Sequence, residues 1–341
     1  MNLDPFSLPL ARPLATARGA ITEREGFLVR IEHAGQVGLG EATPLSGWTE
    51  SLDDCRAALE SVTDPARAIE DDTLAATPAA RHGVALALAD ARARAADEPL
   101  YRHLGGERRV ERVPVNATVG DGDVPETVAA ARGAVEAGFE CLKVKVGARP
   151  LAADEERLRA VREACPDVEL RADANGAWDR ETARAAIDEF APLDLAYLEQ
   201  PLPAADLAGH AALREGGGTI ALDESLAAAS VDEVLAADAA DVLVCKPMAL
   251  GGPDRARATA RRAREAGCEA VFTTTIDAAL ARAGAVHVAA SLPDVPACGL
   301  ATAGWLARDL APDPCPVAGG AMAVPQGKGN IPYPSTGGED A

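Results

Sequence analysis

The stretch FECLKVKVG, Phe139–Gly147, sets two lysines two residues apart in an otherwise apolar run. Extended residues i and i+2 face the same way, so Lys143 and Lys145 project to one side of a strand. Cys141, Leu142, Val144 and Val146 around them speak for burial rather than for an exposed edge. The chain uses arginine almost wherever it needs a cation, and its only lysines are Lys143, Lys145, Lys246 and Lys328. A surface cation here would be expected as arginine. Two of four lysines on one buried strand therefore mark a functional site, because an ammonium withdrawn from water is kept where its proton chemistry is used.

Working outward, the same pattern recurs from about Val113. A short apolar run ends in a polar residue, then a turn leads into an Ala/Arg/Glu-rich amphipathic helix. The runs are VPVNATV, CLKVKV, VELRADAN, LAYLEQ, TIALDES, DVLVCKP, EAVFTTT and DVPACGL. Such alternation predicts parallel strands with crossover helices. Lys145, Asp173, Glu199, Asp223, Lys246 and Thr273 follow one another by 28, 26, 24, 23 and 27 residues. A near-constant period with eight strands predicts a closed α/β barrel over residues 106–312, with its active site at the carboxyl ends of the strands. Residues 1–105 read as a smaller α+β domain. It has a hairpin in GFLVRIEHAGQVGLGEATP and helices in TESLDDCRAALESV and PAARHGVALALADARARAA, the first capped by Thr49 or Ser51. Residues 313–341 are expected to pack back on that domain, with a frayed end.

Asp173, Glu199 and Asp223 supply one carboxylate from each of three successive strand ends. In a confined mouth they would repel one another, and a hard divalent cation resolves the repulsion: Mg²⁺, or Mn²⁺ in its place. No Cys or His shares the pattern, which disfavours zinc. Lys246 ends the sixth strand, across the barrel from Lys145. A cation beside a substrate carboxylate would stabilise the enediolate formed when an alpha proton leaves. Burial, the second lysine and the cation would all lower the pKa of Lys145, which the base needs. Arg171 and Asn175 share the face of Asp173; either could orient it, although an ion pair inside the barrel accounts for Arg171 equally well.

The net charge of −20 is spread along the chain and speaks against nucleic-acid and anionic-membrane partners. With abundant Ala and scarce Lys it suggests salt adaptation, GC-rich codon usage being the alternative. Seven cysteines without a C-x-x-C pair read as buried thiols in a reducing cytoplasm. Asp4 with Pro5, Pro9 and Pro13 argues against a signal peptide, and no apolar run reaches membrane-spanning length. The expectation is a soluble cytoplasmic protein acting on a small carboxylate.

KVKVG, RADANGAW, LEQPLP, ALDES and CKPMALGG, in this order and spacing, resemble the enolase superfamily and its muconate-lactonizing subgroup. The resemblance implies an α+β capping domain on a modified (β/α)₇β TIM-type barrel. It implies Mg²⁺ on Asp173, Glu199 and Asp223, and proton abstraction alpha to a carboxylate with Lys145, Lys246 and Lys143 as catalytic residues. GLGEATPLSGWTE resembles the capping segment of the o-succinylbenzoate synthase branch. ACGLATAGWL resembles its eighth-strand segment, with Cys298 and Ala301 in place of His and Asp. FTTTIDAALARAGAVHVAAS resembles its seventh, with Thr for Ser and Asp277 for Glu. Thr274, Thr275 and Gly299 are then placed against substrate. The implied reaction dehydrates 2-succinyl-6-hydroxy-2,4-cyclohexadiene-1-carboxylate to 2-succinylbenzoate, a step of menaquinone biosynthesis. A racemase or epimerase of the subgroup using both lysines as bases, a cycloisomerase, and a non-catalytic scaffold are the other readings. PACGLATAG lacks the acidic pair that dipeptide epimerases of the subgroup carry there.

Overall fold

The computed structural model describes residues 1–16 and 19–332; Tyr333–Ala341, where the frayed end was expected, lie outside the described residues. The chain opens with a three-stranded antiparallel sheet, β1 (Asn2–Thr16), β2 (Gly19–His33) and β3 (Gln36–Ala42), in that order. The β2–β3 hairpin turns on Ala34 and Gly35, both at positive φ (51° and 72°). A two-residue turn of that hand matches the twist of the flanking strands. β1 was not anticipated from the sequence. Its prolines cannot donate to a ladder, and they are tolerated because β1 lies at the sheet edge, with a register shift between Pro9 and Leu14.

The helix Pro78–Ala95 lies across β3. A Cβ on Gly38 or Gly40 would come within 1.9 Å of the Ala87 or Gly83 carbonyl oxygen, so only glycine lets strand and helix approach this closely. Phe27, Val29, Ile31, Leu59, Val84 and Leu88 fill the space between sheet and helices. Ser51 caps the helix Leu52–Ser61 by accepting from the Asp54 N–H at 3.1 Å.

After β4 (Arg112–Pro114) the parallel strands run β5 (Ala117–Val119), β6 (Cys141–Lys145), β7 (Glu169–Asp173), β8 (Leu195–Glu199), β9 (Ile220–Leu222), β10 (Val242–Cys245) and β11 (Glu269–Phe272). They form one seven-stranded sheet in sequence order, with crossover helices between them. The eighth expected run is not a strand. Cys298 and Gly299 bridge Val115 on one side and Thr273 on the other, and so close the ring. The first run, VPVNATV, is split: residues 112–114 leave the barrel to pair with β13 (Ala321–Ala323), which itself pairs with β12 (Val317–Ala318). The architecture is a (β/α)₇β TIM-type barrel with an antiparallel cap. Alternation sorts its side chains: Leu142, Val144, Leu170 and Leu198 face the helices, whereas Tyr197, Ala221, Val242, Val244 and Val271 fill the barrel interior.

Residues near the end return to the cap. The Gly329 N–H donates to Glu98 O at 2.9 Å, and the Asn330 N–H donates to Asp90 Oδ1 at 2.7 Å. Six of the seven cysteines are buried, and all are free thiols. Among the described residues no helix is long and apolar enough to cross a membrane.

Candidate active site

The parallel register brings the polar strand ends together. Lys145 lies opposite Asp173, and Asp173 opposite Glu199; Glu199 pairs with Ala221, two residues before Asp223. The Lys145 ammonium donates to Asp173 Oδ2 at 2.6 Å and to Asn175 Oδ1 at 2.8 Å. Lys143, one inward position deeper, lies 3.0 Å from Asp173 Oδ2 and 2.9 Å from Glu199 Oε1. Lys246, on the far side, donates to Asp223 Oδ2 at 2.7 Å. The side chains of Asp173 and Glu199 are each 1 % exposed, that of Lys145 34 %. The most accessible ammonium is therefore the one expected to be the base.

Burial works against the charge of Lys143, but Asp173 and Glu199 outweigh it and hold the ammonium well above its ordinary pKa. Burial raises the Asp173 carboxyl, yet the two lysines pull it far below the usual range. Glu199 moves the other way, raised by burial and by Asp173.

Among the described residues no three Asp, Glu, His or Cys side chains gather closely enough, as they stand, to hold a cation. Lys143 sits between two of the three carboxylates and supplies the neutralising charge itself. The donor set nevertheless suits a hard cation. Glu199 Oε2 and Asp223 Oδ1 are buried with no hydrogen-bond partner, a costly state for a carboxylate unless a cation completes it.

Asn175 supports the site from three sides. Its N–H donates to Asp173 Oδ1 at 3.1 Å, its carbonyl accepts from Lys145, and its amide donates to Glu224 Oε1 at 3.0 Å. Arg171 does not orient Asp173. It bonds Glu169 Oε1 at 2.6 Å and Ala297 O at 2.7 Å and lies over the Tyr197 ring; the guanidinium is buried, but its partner Glu169 is 44 % exposed at the opposite end of β7, so the pair reaches the surface. The Thr275 hydroxyl is spent on Asp277, and Thr274 Oγ1 lies 2.9 Å from Thr302 Oγ1. Gly299 donates its N–H to Phe272 O and accepts from Thr273 Oγ1, which closes the barrel. The N–H groups of Gly251 and Gly252 are bonded to Met248 O and Pro247 O, so that pair is a turn.

Two further residues belong to the site. Trp48, from the cap, lies over Lys246 with its ring centroid 3.2 Å from Nζ. Gln200 fixes the backbone of the third carboxylate: its Oε1 accepts from the N–H groups of Asp223 and Ser225 at 3.0 and 3.2 Å. Both stand within GLGEATPLSGWTE and LEQPLP, stretches whose pattern was legible although these roles were not. Asn175, Gln200 and Ile276, none of them glycine, sit at positive φ (45°, 42° and 61°) at the mouth, backbone strain of a kind that clusters at functional sites.

The site is thus a set of lysines and carboxylates on adjoining strand ends of a capped (β/α)₇β barrel. The chain belongs to the enolase superfamily. Residues 126–330 match the family described as enolase C-terminal domain-like, and residues 1–91 match the MenC N-terminal domain. It is 31 % identical over 305 residues to the L-Ala-D/L-Glu epimerase of Bacillus subtilis, covering 84 % of this chain and 83 % of that one. It is 36 % identical over 208 residues to the o-succinylbenzoate synthase of Thermobifida fusca, covering 60 % and 64 %. The crystal structure of the dipeptide epimerase from Methylococcus capsulatus, complexed with Mg and L-Arg-D-Lys, superposes with a TM-score of 0.86 at 31 % identity, covering 97 % of this chain and 98 % of that one.

Proposed function

We propose that this protein is a Mg²⁺-dependent lyase of the o-succinylbenzoate synthase type. It removes the proton alpha to the carboxylate of 2-succinyl-6-hydroxy-2,4-cyclohexadiene-1-carboxylate and expels water. The observation that carries the reading is the capping segment. Residues 1–91 match the N-terminal domain of that branch, and Trp48 of the same segment covers Lys246.

In this reading Asp173, Glu199 and Asp223 hold Mg²⁺. When bound, the ion would supply a positive centre for charge developing on the substrate carboxylate. Lys145 acts as base only as the neutral amine, and in that form it accepts the alpha proton as the C–H bond breaks. The electron pair forms the ring double bond, the C–O bond breaks, and the Lys145 ammonium returns its proton to the departing hydroxyl as water. Lys246, held between Trp48 and Asp223, stays charged and stabilises the enediolate electrostatically. Lys143 adds a second fixed positive charge.

A second reading has an observation of its own, the 31 % identity over 84 % of the chain to an epimerase. There Lys145 and Lys246 would serve opposite faces of one carbon. The two are separated by giving the wild-type protein the cyclohexadiene substrate and, in D₂O, a panel of N-acylamino acids and dipeptides. Succinylbenzoate formation with kcat/KM at least tenfold above any alpha exchange is the expected result. Efficient exchange from both enantiomers without dehydration would overturn it in favour of the epimerase.

A further inference from the structure

Two buried charges of the cap bond the barrel without touching the lysines or the three strand-end carboxylates. Glu41, fully buried on β3, accepts from the Ala278 N–H at 2.8 Å and the Ala281 N–H at 2.9 Å, at the start of the helix Ala279–Ala290. Its third donor is the Thr43 hydroxyl at 2.7 Å. Arg24, 3 % exposed on β2, donates to Thr43 O at 2.9 Å, Pro44 O at 3.1 Å and, across the domain boundary, Ile276 O at 3.4 Å. Asp277, buried beside them, accepts from Thr275.

These contacts tie together two segments, the turn after Pro44 and the loop through Ile276. On the cap side, Pro44 leads into a tight turn in which Trp48 and Thr49 donate backbone N–H groups to Leu45 O, each at 2.9 Å, and Leu45 N–H donates to Thr49 Oγ1 at 2.8 Å. A shift at Pro44 is therefore passed to Trp48 and to the ring over Lys246. On the barrel side, the loop after β11 runs through Ile276, a β-branched residue at φ 61°. Such a backbone persists only when its surroundings over-determine it. Arg24 at its carbonyl and Thr274 Oγ1 at its N–H, 3.3 Å away, provide that restraint.

We propose that Arg24 and Glu41 are positioning residues for the reaction, which set the separation between the Trp48 turn and the Thr274–Ala278 loop and so the fit of the substrate between them. The proposal rests on the catalytic reading above only in that the mouth is where substrate binds. It holds for either a dehydration or an epimerisation.

Glu41→Gln is informative because an amide nitrogen cannot accept a hydrogen bond, so one of the Ala278 and Ala281 N–H groups is orphaned. Arg24→Lys keeps the charge but loses the fork that spans three carbonyls. Each variant should raise KM for the substrate the wild type turns over by about tenfold. Each should change kcat by less than threefold and leave the Mg²⁺ concentration needed for half activity unchanged. Combined with Thr274→Ala, the losses should be less than multiplicative, because both act through one loop. Amide deuterium exchange in the substrate-free variants should accelerate over residues 274–281 and stay unchanged in β9 and β10. That readout decides the matter even for a chain whose substrate assignment fails, and Arg24→Lys serves if Glu41→Gln does not fold. Multiplicative losses, an unchanged KM, or exchange that rises evenly through the barrel overturns the proposal.

Discussion

The molecule buries carboxylates in two places and treats them differently. At the barrel mouth Asp173, Glu199 and Asp223 are held by ammonium groups, and two of their oxygens have no partner at all. At the domain boundary Glu41 receives three hydrogen bonds, two of them from backbone N–H groups that cannot move away. Incompletely satisfied buried charge is expensive and persists where another ligand completes it. Satisfied buried charge holds structure. The contrast separates a site from a joint by hydrogen-bond accounting alone.

The strongest test of the contrast removes Lys145, the proton carrier of the proposed reaction. Lys145→Arg should lower turnover by roughly a thousandfold or more, with near-wild-type far-UV dichroism and melting temperature. Chelation should abolish activity, and added Mg²⁺ or Mn²⁺ should restore it; full turnover by metal-free protein would end the mechanism proposed here.

The same substitution made in both places should then give opposite profiles. Glu199→Gln should cost at least about a hundredfold in rate together with metal affinity, yet little stability in metal-free protein, because burial and Asp173 already disfavour its charge, its Oε2 has no partner, and the amide oxygen can still accept from Lys143. Glu41→Gln should cost about 1–3 kcal/mol of unfolding free energy and, as inferred above, act on KM. Urea denaturation in excess chelator distinguishes the two, and equal destabilisation would erase the distinction.

A smaller effect lies in the pH dependence. Burial, then Asp277, pushes the Glu41 carboxyl from 4.5 up to about 7, against hydrogen bonds from Ala281, Thr43 and Ala278. Arg24 and His82 are the other ionisable groups packed at this node. Between pH 4.5 and 7 the native state keeps a proton that the unfolded chain has released, so this group's contribution to stability falls as pH rises through that window. His287 runs the opposite way. Burial lowers it from 6.5 to about 4, although its ring bonds Asn330 O at 2.7 Å, and its contribution is lost as pH falls from 6.5 towards 4. Each shift is about 3 kcal/mol in full, and across pH 4.5 to 6.5 they nearly cancel. Glu41→Gln should unmask the rising slope of His287; a melting curve that stays flat in that variant contradicts the assignment.

The smallest expected effect is a control away from both places. Ser51→Ala removes the cap of Leu52–Ser61 and should cost about 1 kcal/mol, with kcat and KM unmoved.

How much of this was legible in sequence differs by element. The helix Arg180–Phe190 and the strand Cys141–Lys145 follow from local patterning, because period and apolar spacing are properties of a few neighbouring residues. The strand-end lysines and carboxylates were legible for the same reason, each closing its own run. β1 was not, since three prolines contradict a strand until the sheet edge that tolerates them is known. The last stave was overestimated: DVPACGL has a strand's composition but only Cys298 and Gly299 bridge to neighbours.

The sequence by itself determined the barrel's period, the inward face of Lys143 and Lys145, and which residue types meet at the mouth, because parallel register propagates those choices from strand to strand. Tertiary structure alone decided that Trp48 covers Lys246, that Arg171 turns to Glu169 instead of Asp173, and that Glu41 caps a helix 240 residues further along the chain. The reason is distance. Such contacts depend on how the cap docks on the barrel, and no pattern among neighbouring residues encodes the geometry of a surface that forms only when both halves have folded.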